Sequence, residues 1–169
     1  MEQHTLSVLV EDRPGVLARV SSLLARRGFN IHSLAVGPTA EPGMSKMTVV
    51  VAAPELEQVK KQLHKLINVV KITELDKDFS IEREMMLVRV NTPPGRRGEI
   101  LEIANIFKAS AVDVAANSIT FQLAGAPAKV NDFLELIRPF GLIDLVKSGR
   151  IAIRREPKTR KLRAVQGER

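Results

Sequence analysis

Apolar and polar residues alternate from His4 to Glu11, with Leu6, Val8 and Val10 on one face, a spacing that predicts a half-buried strand. Pro14 stops the hydrogen-bond ladder and Gly15 permits a sharp turn. The period then changes: Val16, Leu17, Val20, Leu23 and Leu24 recur at helical spacing up to Arg27, while Arg19, Ser22 and Arg26 point away. Arg26-Arg27-Gly28 closes that helix, because cations complement the dipole at its carboxyl end and Gly28 accepts a left-handed cap. Strands are predicted around 30–37 and 45–52, separated by a turn-rich stretch from Gly37 to Gly43. Pro54 opens a second predicted helix with the stripe Leu56, Val59, Leu63, Leu66 and Ile67, and Val69 to Leu75 reads as a fourth strand.

Strand, helix, strand, strand, helix, strand within one short span is the ferredoxin-like arrangement. The order then recurs, with a strand at 84–91, a helix at 98–108, strands near 112–115 and 118–124, a helix at 127–138 and a last strand or pair at 142–153. Adding 83 carries Gly15, Leu17, Val20 and Leu24 onto Gly98, Ile100, Ile103 and Phe107, and Asn30-Ile31 onto Asp113-Val114. On that offset Asp12 and Pro14 fall on Gly95 and Arg97, so the second copy is expected to lack the turn chemistry of the first. The expected class is α+β, with two ferredoxin-like βαββαβ domains. Residues 1–76 form the first, 77–80 the linker, 81–154 the second, and 155–169 a basic flexible tail.

Charge changes this picture less than its total suggests. The chain carries +7 at pH 7, yet Arg154 to Arg169 hold seven Lys or Arg against two Glu, which leaves about +2 for the rest. A nucleic-acid partner is therefore not expected. An RNA-binding sheet of this topology also needs stacking aromatics on its central strands, and none lies in Val8-Leu9-Val10 or Thr48-Val49-Val50-Val51. The absence of cysteine removes disulfides and thiolate chemistry and fits a reducing compartment. No apolar run approaches the ~18 residues of a membrane span, and Met1 to Thr5 show no signal-peptide pattern. A cytoplasmic protein with no membrane partner is expected.

Catalysis finds no support in the residues. His4, His32 and His64 lie on three different predicted elements without metal-ligand spacing, no Ser occupies a nucleophile elbow, and no Gly-rich loop matches a nucleotide motif. What remains is the loop Asp12-Arg13-Pro14-Gly15-Val16-Leu17. At a helix start the first amides lack intrahelical partners and the dipole is positive, so the backbone of Gly15, Val16 and Leu17 can receive a carboxylate. The Asp12 carboxylate suits an ammonium, and Asn30 offers an amide that donates and accepts. A free amino acid has both ends. The same residues also read as a plain turn, cap and helix exit.

The stretch Asp12-Arg13-Pro14-Gly15-Val16-Leu17 resembles the Asp-x-Pro-Gly-x-Leu signature that opens ACT domains, small modules that bind amino acids in regulated metabolic enzymes. The resemblance extends further, to the small regulatory subunits of acetolactate synthase. It runs through Leu6 to Asp12, Arg27-Gly28-Phe29-Asn30-Ile31, Ser33-Leu34, Met47-Thr48, Gln62 to Leu66 and Arg83-Glu84, and through Phe107, Val112-Asp113-Val114 and Gly125 in the second half. It implies a homodimer without activity or cofactor of its own that binds a large catalytic subunit. That partner holds thiamine diphosphate, Mg2+ and FAD. The small subunit raises its activity and makes it sensitive to feedback inhibition, usually by valine. It also implies a site between two chains. Gly15, Val16 and Leu17 of one would hold the carboxylate with Asp12, Arg13 and Pro14 beside them, and Asn30 and Ile31 of the other would complete the pocket. The Gly37–Gly43 turn is expected to be mobile and near a partner contact. The alternative is a stand-alone amino-acid sensor controlling another enzyme; no helix-turn-helix accompanies the domain to favour a transcriptional one.

Overall fold

The computed structural model describes residues 3–156, so the basic tail lies almost wholly outside them. The first unit consists of β1 (Gln3–Glu11), α1 (Val16–Arg26), β2 (Asn30–Pro38), β3 (Met44–Ala52), α2 (Leu56–Leu63) and β4 (Val69–Leu75), and its antiparallel sheet has the order β2-β3-β1-β4. Leu6, Val8 and Val10 point to the two helices and join Val20, Leu24, Met47, Val49, Val51, Val59 and Leu63 in one core. Ile67, expected on the helical stripe, is 89% exposed. The reason is local: α2 ends at Leu63 and the chain turns through His64 to Asn68, so only Leu66 still reaches the core.

The second unit repeats the plan with β5 (Ser80–Asn91), α3 (Arg97–Phe107), β6 (Ser110–Val114), β7 (Ser118–Gly125), α4 (Pro127–Ile137), β8 (Leu142–Lys147) and β9 (Ile151–Arg154). The order is β6-β7-β5-β8, with β9 paired to the first residues of β5. Phe133 is fully buried at its centre, tilted against Phe107 at 5.4 Å and edge-on to Phe121 at 6.0 Å between ring centroids. Ser80, expected in the linker, is the buried first residue of β5, and Asp76 to Phe79 lie between β4 and β5.

The repeat is real but its offset is 80, not 83. Gly15 at φ +82° corresponds to Gly95 at +84°, and the left-handed Gly28 corresponds to Lys108 at +57°. The turn bond from the Val16 amide to the Arg13 carbonyl (3.3 Å) recurs from the Arg96 amide to the Pro93 carbonyl (3.1 Å). The strand-end bond from the Asp12 amide to the Gly43 carbonyl (2.8 Å) recurs from the Thr92 amide to the Asn117 carbonyl (2.9 Å). A slip of three residues is nearly one helical turn, so the apolar stripes of α1 and α3 align almost equally well at either offset. The second copy therefore does carry a Pro-Gly turn, Pro94-Gly95, with Thr92 in the place of Asp12.

The units meet through the sheet face of the first that its helices leave bare. The Thr5 hydroxyl donates to Glu82 at 3.1 Å, the Arg150 amide donates to the Ser33 hydroxyl at 2.6 Å, and the Ala152 amide approaches the Thr48 hydroxyl at 3.4 Å. Thr5 and Thr48 are thereby buried polar groups with partners.

Candidate functional site

The loop from Asp12 to Gly15 is fixed from both sides by backbone bonds, since the Glu11 amide donates to the Asn68 carbonyl at 3.0 Å and the Asp12 amide to the Gly43 carbonyl at 2.8 Å. Beneath it runs a chain of polar contacts. Arg19 donates to the Asn68 side chain at 2.9 Å, the Asn68 side-chain amide donates to Glu11 at 2.8 Å, and Arg13 pairs with Glu11 at 3.2 Å. Asn68 is buried, so it acts as the peg that joins the end of β1, the start of α1 and the turn before β4.

Gly15 takes the left-handed conformation at the N-cap of α1, and no side chain caps the helix. The Val16 amide is occupied by the turn. The Gly15, Leu17 and Ala18 amides have no acceptor among the described residues. No acidic residue in the first turn offsets the dipole. A Cβ on Gly15 would meet nothing within 4 Å. Asp12, Arg13, Pro14 and Gly15 are exposed and Val16 is buried. Leu17, 40% exposed, presents apolar surface next to the free amides. The arrangement can receive an oxyanion at the helix start with an acid, Asp12, beside it.

Asn30 and Ile31 are not part of that cluster within one chain. Asn30 pairs with Ala52, which pairs with Gln3, whereas Glu11 pairs with Met44 at the opposite end of the sheet. Eight residues of strand separate the two ends, about 26 Å. Near Asn30 lies a hollow of about 420 Å³ whose lining includes Arg27, Phe29, Ala52, Pro54, Gln58 and Gln62.

A curated protein named "Acetolactate synthase small subunit" from Mycolicibacterium smegmatis is 50% identical over 157 residues, covering 92% of each chain. A family model described as "AHAS small subunit-like ACT domain" matches residues 6–71, and one described as "Small subunit of acetolactate synthase" matches 83–156. The chain belongs to the acetolactate synthase small-subunit family. The kinship reaches an archaeal protein named "Probable acetolactate synthase small subunit" from Archaeoglobus fulgidus, 48% identical over 153 residues and covering 89% of this chain and 96% of that one. The crystal structure of the acetolactate synthase small subunit from Thermotoga maritima superposes with a TM-score of 0.85 at 34% identity, covering 93% of this chain and 99% of that one. Both ferredoxin-like units of the small subunit are thus common to this chain and that structure.

Among the described residues no group of three or more His, Cys, Asp or Glu could hold a metal ion, and no helix is long and apolar enough to cross a membrane. Two residues of the site escaped the sequence reading. Asn68 had a signal, an amide side chain between the apolar Ile67 and Val69 just before a strand. Gly43 acts through its carbonyl, and a backbone acceptor leaves no trace in the pattern of side chains.

Proposed function

We propose that this chain is the regulatory subunit that binds valine at an interface between two ACT domains, activates the acetolactate synthase catalytic subunit and confers feedback inhibition on it. Catalysis, with thiamine diphosphate, Mg2+ and FAD, belongs to that large partner. The observation that carries the reading is the set of three amides at the start of α1 that, like the neighbouring Asp12 carboxylate, have no partner among the described residues. The amides suit the effector's carboxylate, Asp12 its ammonium, and Leu17 its branched side chain. The remaining residues, Asn30 and Ile31, open the edge strand β2. Antiparallel pairing of two β2 edges would bring the Asn30 end of one chain to the Gly37–Pro38 end of the other, which is the end that holds Asp12 and Gly15. A ligand shared in this way favours one dimer arrangement over another by its difference in affinity, and the catalytic partner responds to that shift.

Calorimetric titration of the chain with valine, leucine and isoleucine tests this, with Gly15→Asp as control. Saturable binding that the substitution abolishes is expected, since the new carboxylate would stand where the effector's is held. Undiminished binding to the variant would overturn the assigned site.

A further inference from the structure

At the junction of the two units, remote from the α1 loop, lies a second polar hollow of about 440 Å³. Its walls are Lys77 of the connecting turn, Ser80 and Glu82 of β5, Arg150, Arg155 and the start of α4. Ser80 is only 3% exposed and its hydroxyl has no hydrogen-bond partner among the described residues; the same is true of the buried Nε of Arg150. A buried donor without an acceptor is costly, and two such donors on residues that line one hollow point to an acceptor that binds there.

The surroundings specify that acceptor's charge. Glu82 is the one acid on the wall, and it is committed to Arg150 at 3.3 Å and to the Thr5 hydroxyl at 3.1 Å. Arg155 spends Nε on the Ser80 carbonyl at 3.1 Å, and its other donors have no acceptor among the described residues. Asn131 accepts from Lys147 at 2.8 Å through its oxygen, which leaves its side-chain N–H groups to donate. α4 begins with Pro127 and has neither a side-chain cap nor an acid in its first turn, and the Ala128 and Lys129 amides, at the positive end of its dipole, have no acceptor among the described residues. Apart from Glu82, the charged side chains on this wall, Lys77, Arg150 and Arg155 among them, are cations, and the groups with capacity to spare can donate.

We propose that this hollow is a binding site for a phosphate-type oxyanion, free or carried by a small phosphate ester, held by Ser80, Arg150, Arg155 and the first amides of α4. Because Glu82 and Arg150 also fasten the second unit to Thr5 and Ser33 of the first, an occupant there sits on the joint between the units.

The test is amide NMR of the intact chain titrated with inorganic phosphate and, separately, with glycerol 3-phosphate, each against chloride at matched ionic strength. Saturable shifts at Ser80, Ala128 and Lys129 with phosphate and not with chloride are expected. Ser80→Ala and Arg155→Ala should each weaken binding about tenfold, the scale of one hydrogen bond to a charged group. Gly15→Asp should leave it unchanged, which separates this site from the effector loop. Tighter binding of the ester assigns the site to an organic phosphate, and equal binding assigns it to the free ion. Shifts that do not saturate, that chloride reproduces, that both variants retain in full, or that centre on Gly15 and Leu17 would overturn the proposal.

Discussion

Gly149 shows how much of this structure depends on a single missing side chain. At φ +81° it holds a backbone conformation that L-residues rarely adopt, and a Cβ there would stand 2.7 Å from the Leu34 carbonyl oxygen across the junction. Gly149→Ala is therefore expected to destabilise the protein by about 1–3 kcal/mol, read as a lower urea midpoint. Gly15→Ala makes a contrast, since its Cβ would meet nothing and only the left-handed backbone opposes it. Asn68→Ala removes the peg between Glu11 and Arg19 and should cost about 1–3 kcal/mol by leaving buried polar groups unpaired. It should also weaken effector binding in calorimetry, because it loosens the start of α1. At this scale the site was partly legible: Asp12, Pro14 and Gly15 announce a turn, but the roles of Asn68 and of the Gly43 carbonyl depend on which strands become neighbours.

The elements were legible wherever a period was sustained. β1, α1, β3 and α4 lie close to where alternation and helical spacing put them, because each buries one face on a core and that burial imposes the pattern. The ends were less so. The α2 stripe ran on to Ile67 in sequence, but the helix stops at Leu63, and the repeat offset was misread by about one helical turn because a helix cannot distinguish such slips from its stripe alone. The turn geometry, Gly15 against Gly95 and Gly28 against Lys108, is what fixes the register. Within the second unit the apolar pattern has a direct energetic consequence: Phe133→Ala removes a ring packed between Phe107 and Phe121 and should cost about 3–5 kcal/mol in chemical denaturation. The Gly37–Gly43 turn is tied locally, since the Thr39 hydroxyl lies within hydrogen-bond distance of both the Glu41 carbonyl (3.1 Å) and the Met44 carbonyl (3.2 Å), and the Gly43 carbonyl accepts from the Asp12 amide.

At the scale of the whole molecule, the separation of Gly15 from Asn30 decides what the proposed site would require of a second copy. The two lie at opposite ends of one sheet, and β2, which carries Asn30, is an edge with an unpaired side. Val36 pairs with the core residue Met47, so it lies on the helix-side face of that edge, yet it is 48% exposed. An apolar side chain left half-covered at a sheet edge is what a second copy joining there would bury. Val36→Asp puts a charge into that position without touching Gly15, Asp12 or Asn30. Its unfolding midpoint should stay near that of the unaltered chain at low concentration, because the residue contributes little to the core of one copy. Sedimentation should show a shift from dimer to monomer, and valine binding should fall with the dimer fraction, recovering as protein concentration is raised. Unchanged association would move the dimer contact away from β2. Full valine binding by a monomer would mean that the three amides and Asp12 suffice without Asn30, and the site would then belong to a single chain.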